Sequence, residues 1–192
     1  YRYKLLRANP LTAEYRVTLG TNARTAPYDP WPGNHGGVSD VALAADRMWL
    51  AAGGSEVMTA LVTQSIDGSR RLSHGYCILG GHSIAWSGQY LYLLHLGGRH
   101  KGELTARRKD LSGVGRKSIL WDDAAPDDVD AHGDTLVASY PAKNAVRWLD
   151  PEKLTPLDHA PIPEPTAVAV TKDATVLVLS QELKPIRAFE QL

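Results

Sequence analysis

A single cysteine, Cys77, leaves the 192-residue chain without an internal disulfide, so its sulfur content fits an oxidising or a reducing compartment equally well. No apolar run approaches the ~20 residues of a membrane-spanning helix. Charge of one sign is not in excess: 21 Lys plus Arg stand against 21 Asp plus Glu. Nucleic-acid binding wants a basic stripe, and Arg107-Arg108-Lys109 and Arg70-Arg71 are isolated clusters that read as solvated strand ends. Neither a nucleic acid nor a membrane span is therefore expected. Gly80-Gly81 and Gly97-Gly98 lack the Lys-Ser/Thr and following helix of a phosphate loop, and there is no nucleophile elbow and no Cys-x-x-Cys-His for haem. The chain shows no signal peptide and begins with Tyr1 rather than Met. That start reads as a processed protein or a piece of a longer one, and a secreted or envelope location is expected.

Long helical windows are missing too. The 12 Pro and 17 Gly interrupt every candidate, and β-branched and aromatic residues gather in short runs. The best helical competitor, 40–49, is rich in Ala and Leu, but its equivalents further along contain Gly88 or Gly133. What is present is a recurring phrase: apolar strand, tight polar turn, second apolar strand, loop, then an alternating strand ending in Asp, Gly or Pro. The turns Ala45-Asp46-Arg47, Ser87-Gly88-Gln89, His132-Gly133-Asp134 and Lys172-Asp173-Ala174 mark it. Their central positions, 46, 88, 133 and 173, are separated by 42, 45 and 40 residues. Repeats of roughly 40–50 residues built only of short strands are the signature of β-propeller blades.

The predicted fold class is thus all-β: a β-propeller segment of about four blades, each of four antiparallel strands lettered A to D from the axis outward. The predicted blades are 38–78, 82–121, 127–161 and 165–190, the last lacking its strand D. Residues 1–20 supply the outer half of a preceding blade, so both termini fall in partial blades. An incomplete ring, part of a larger propeller, is the expected whole, and further blades or another domain of a parent protein are expected neighbours.

Three phrases join strands C and D: Leu61-Val62-Thr63-Gln64-Ser65-Ile66-Asp67-Gly68, Arg108-Lys109-Asp110-Leu111-Ser112-Gly113 and Val146-Arg147-Trp148-Leu149-Asp150-Pro151. With them the chain resembles the bacterial β-propellers with degenerate repeats, of the YVTN, NHL and quinoprotein-like types. The resemblance spans roughly 39–189. It departs from WD40 repeats, since Trp121-Asp122 falls at the predicted end of a strand D and no Gly-His opens a blade.

Propellers bind ligands on the face carrying the D-to-A and B-to-C loops, around an axial channel, and the strand map puts particular residues there. The longest loop carries Tyr28, Trp31 and His35 among prolines and glycines. Two readings stand: the aromatics plug a gap between blades, or they stack on a sugar ring or peptide. His35, Asp40, His82 and Asp128 lie at or just before the start of a strand A, beside the axis. They can hold Ca²⁺ or Zn²⁺, supply an acid/base pair, or simply bind water. Asp122-Asp123 and Asp127-Asp128 form an acidic loop that can take Ca²⁺ through oxygen ligands or merely accept turn N–H bonds. His100, between Arg99 and Lys101, belongs to a basic loop on the same rim. His95, His132 and His159 read as structural. The expected function is a ligand- or protein-binding module for an unknown protein or carbohydrate-like ligand; the alternative is a metal-dependent hydrolase or lactonase at the channel mouth.

Overall fold

A computed structural model describes residues 6–8, 15–17, 38–55, 58–65, 71–78, 82–97 and 100–180. Every element is a strand apart from short turns of 3-10 type, and no α-helix occurs among the described residues. β1 (Leu6–Ala8) and β2 (Tyr15–Val17) form a two-stranded antiparallel pair. Sheet I comprises β3 (Val38–Leu43), β4 (Arg47–Ser55), β5 (Met58–Ser65) and β6 (Arg71–Ile78). Sheet II comprises β7 (His82–Trp86), β8 (Leu91–His95), β9 (Glu103–Arg107) and β10 (Gly113–Ser118). Sheet III comprises β11 (Asp128–His132), β12 (Thr135–Tyr140), β13 (Ala145–Leu149) and β14 (Pro156–Pro161). Sheet IV holds β15 (Pro165–Val170) and β16 (Val176–Ser180). Within each sheet, strands pair antiparallel with their neighbours in sequence, and β3, β7, β11 and β15 lie side by side across the sheets. That row of first strands is the inner wall of a propeller, and the ring is not closed.

Burial grades outward as radial packing requires. β8 and β12 are buried at every position, whereas β14 is almost wholly exposed. Three apolar layers fill the spaces between sheets. Trp49, Leu61, Ile84, Leu91 and Leu93 join sheets I and II, with Trp86 stacked against Trp49 at 4.7 Å between ring centres. Tyr92, Leu94, Leu104, Leu136, Tyr140 and Leu149 join II and III. Val137, Val146, Val168, Val176 and Val178 join III and IV. The Tyr92 hydroxyl crosses from sheet II to donate to the Pro151 carbonyl at 2.9 Å.

The Asp of the strand C–turn phrase closes the outer hairpins. Asp150 Oδ1 accepts from the N–H groups of Glu152 and Lys153 at 2.9 and 2.7 Å, and Asp110 Oδ1 accepts from Ser112 N–H at 2.9 Å. The outer hairpin of sheet II differs from the sequence expectation, which ended its strand D at Trp121, whereas β10 ends at Ser118. The Arg108 N–H reaches the Ser112 carbonyl at 2.9 Å, so the turn closes early and β10 begins at Gly113. Trp121 is thereby released into the loop toward sheet III, where its main chain bridges Ala124. The Asp67-Gly68 turn lies outside the described residues.

Candidate functional site at the loop face

The inner strand of each sheet is an edge, and an edge strand leaves every second N–H without a ladder partner. In this chain those N–H groups are met by side chains of the preceding sheet. Asp40 Oδ2 accepts from Ile84 N–H at 2.7 Å, Ser83 Oγ accepts from Val129 N–H at 3.1 Å, and Asp128 Oδ2 accepts from Val168 N–H at 2.9 Å. Deeper in the wall, Asp130 Oδ2 accepts from Val170 N–H at 2.7 Å. Ser83 also donates to Asp128 Oδ1 at 2.6 Å, so a hydroxyl on β7 ties the carboxylate on β11. The series stops at both ends: Val41 N–H returns to its own Asp40 Oδ1 at 2.8 Å, and sheet IV has Ala167 where an acceptor would stand.

Asp40 and Asp128 both stand on inner strands, and there they act as acceptors joining sheets. Burial raises the Asp40 carboxyl above the usual carboxylate range, and the charge of Asp128 adds to the rise against the N–H bonds from Ile84 and Val41. Burial likewise raises Asp130. Among the described residues, no three His, Cys, Asp or Glu side chains converge as a metal site. The acidic loop divides: Asp122, largely exposed, pairs with Lys143 of the next B-to-C loop at 3.1 Å, and Asp127 N–H donates to the Ser139 carbonyl.

His100 lies in the loop between β8 and β9, where Gly102 runs beside Ala125 of the acidic loop. Its Nδ1 lies 3.0 Å from Glu103 Oε1 and against the Arg116 guanidinium, which also pairs with Glu103. Beside it His95 is buried, 3.3 Å from Thr105 Oγ1, and desolvation, then the charge of Arg116, pushes it from the ordinary 6.5 down to about 4. His82 pairs with His95 across β7 and β8. Tyr28, Trp31, His35, Arg99 and the His82 side chain lie outside the described residues.

Sequence reasoning missed Ser83 and Asp130. Superposing the repeats on their turns would have put Ser83 in one column with Asp128, each five residues before its turn centre, with Asp40 and Ala167 one residue further from theirs. It also missed a cluster on the outer rim between sheets II and III. The Arg147 guanidinium carbon sits 3.8 Å from the centre of the Trp121 ring and 5.6 Å from that of Tyr140. His159 meets Trp121 edge to face at 5.1 Å, and the Tyr140 hydroxyl donates to the Ile119 carbonyl at 2.5 Å. His159, read from sequence as structural, is exposed.

No protein-family profile matches the sequence, and no curated protein matches it. Solved structures do match. A chain of Kuenenia stuttgartiensis hydrazine synthase superposes with a TM-score of 0.60 at 11% identity, covering 80% of this chain and 46% of that one. Myxococcus xanthus glutaminyl cyclase gives 0.54 at 16% identity, over 78% of this chain and 71% of that one. Hsv2 of Kluyvelomyces marxianus gives 0.58 at 13% identity, over 80% of this chain and 46% of that one. All three are β-propeller proteins, and likeness at this identity is likeness of fold. The chain spans under half the length of the hydrazine synthase and Hsv2 chains.

Proposed function

We propose that the chain is a ligand- or protein-binding propeller module whose D-to-A and B-to-C loops form the recognition face. The observation that carries this reading is the use made of the axial carboxylates. Asp40 and Asp128, two of the four residues that with His35 and His82 could serve a hydrolase or lactonase at the channel mouth, hold main-chain N–H groups of the neighbouring inner strand. A carboxylate so engaged is a joint between sheets and a poor proton shuttle or cation ligand. Recognition then falls to the loops, with Tyr28 and Trp31 as stacking surfaces and His35, His82, Arg99 and His100 as polar contacts around them. The apolar outer face of sheet IV, with Leu177 and Leu179 exposed beside Ala167 and Ala169, supports a further blade as its neighbour.

Calorimetric titration with Ca²⁺ and with Zn²⁺, on the native chain and on Asp40→Asn with Asp128→Asn, tests this reading. The module predicts no stoichiometric site that the double substitution removes, and a lowered melting temperature in the variant. Tight one-to-one binding lost in the variant, together with lactone or ester turnover, would establish the hydrolase instead. For the recognition face, Tyr28→Ala with Trp31→Ala should abolish retention on a glycan or peptide array while leaving the melting temperature unchanged; loss of melting temperature alone would make that loop a structural plug.

A further inference from the structure

We infer that the outer rim between sheets II and III is a carboxylate-binding site, with Arg147 as the anion receptor and Trp121 as its platform. The strand register builds it. Val129 pairs with Ala138, Ala138 with Arg147, and Arg147 with His159, so these four share one face of sheet III, the face turned toward sheet II. The inner two are buried and the outer two reach the surface. The small Ala138 and the loop-borne Trp121 leave the guanidinium carbon over the indole, 3.8 Å from its centre.

The platform is itself fixed. Trp121 exchanges main-chain hydrogen bonds with Ala124 at 2.9 and 3.0 Å. Tyr140 is buried, its hydroxyl donating to the Ile119 carbonyl and its ring centre 5.6 Å from the Arg147 guanidinium carbon. The guanidinium carries five N–H donors. No carboxylate lies within ion-pair distance of Arg147 among the described residues; Asp122, next to Trp121 in sequence, is held by Lys143. Asp158 pairs with Trp148 on the opposite face of the sheet. A half-buried, oriented guanidinium without a counter-charge is a receptor for a planar anion: its N–H groups match the two oxygens of a carboxylate. His159, paired with Arg147 across β13 and β14, meets Trp121 edge to face beside it. Trp121 is carried on the loop that joins sheet II to sheet III, while Arg147 and His159 stand on β13 and β14, so the site adjoins the loop face proposed above without using the residues named there.

The experiment titrates the native chain with glutarate and with a tri-glutamate peptide, following tryptophan emission, with Trp121→Phe to assign the signal. The expected result is a saturable change that disappears in Trp121→Phe. Affinity should fall roughly tenfold or more in Arg147→Met, which keeps the stem and loses the donors, and less in Arg147→Lys. Tighter binding of the peptide would identify a polypeptide as the source of the carboxylate; tighter binding of glutarate would identify a free acid. No saturable change with either probe, or unaltered affinity in a folded Arg147→Met protein, would overturn the inference and reduce the cluster to a structural stack.

Discussion

Replacing His95 should change the acid stability of the whole domain. The ring is 2% exposed on β8, and burial with the charge of Arg116 holds it near 4 where a free histidine titrates at 6.5. Unfolding releases the ring to water, so between those two values the unfolded chain binds a proton that the folded one refuses. The stabilisation is therefore complete above 6.5 and is lost as the pH falls toward 4. Integrating the two titrations gives a loss of about 2 kcal/mol at pH 5 and about 3 kcal/mol at pH 4. Asp40 and Asp130 act in the opposite sense: burial raises both carboxyls, so their contribution is present at low pH and declines as the pH rises through their folded values. A difference between two proteins isolates the histidine. His95→Gln keeps an amide near Thr105 and cannot take up the proton. Urea unfolding followed by tryptophan fluorescence at pH 7, 6, 5 and 4 should show the native chain losing about 2–3 kcal/mol relative to the variant across that range. Parallel stability profiles for the two proteins would refute the burial argument.

Two further outcomes follow from single contacts. Ser83→Ala strips the Val129 N–H of its acceptor and Asp128 of a donor inside the inner wall, and should cost about 1–3 kcal/mol in chemical denaturation, whereas Ser83→Thr, which keeps the hydroxyl, should cost less. Gly102 holds φ +76° and a β-carbon there would stand 2.3 Å from Leu120 Cδ2. Gly102→Ala should therefore lose about 1–2 kcal/mol from the left-handed backbone alone, and adding Leu120→Ala should recover only the steric part; an unchanged melting temperature in the single variant would contradict the conformation given to this turn.

Much of the architecture was legible because it is written in local chemistry. The spaced turns at 46, 88, 133 and 173, the unbroken apolar runs of β8 and β12, and the Asp-bearing outer hairpins each follow from a few adjacent residues. Strand periodicity and turn residues act over a handful of positions, so a linear reading reaches them. The same reading also set Asp40 and Asp128 beside the axis. It had no means of seeing what their oxygens meet, because the partners are main-chain N–H groups 40 and 44 residues away, and every residue but proline carries one. Trp121 shows the other boundary: one early turn at 108–112 moves it out of its strand, and only then do Arg147 and His159, from two strands of another sheet, gather around it. The repeat by itself determined that there would be an inner wall and a loop face. Tertiary packing decided that the wall spends its carboxylates on its own edges and that a guanidinium with no ion-pair partner among the described residues is left at the rim, since hydrogen bonds between sheets and stacking across them depend on side-chain positions that no local pattern encodes.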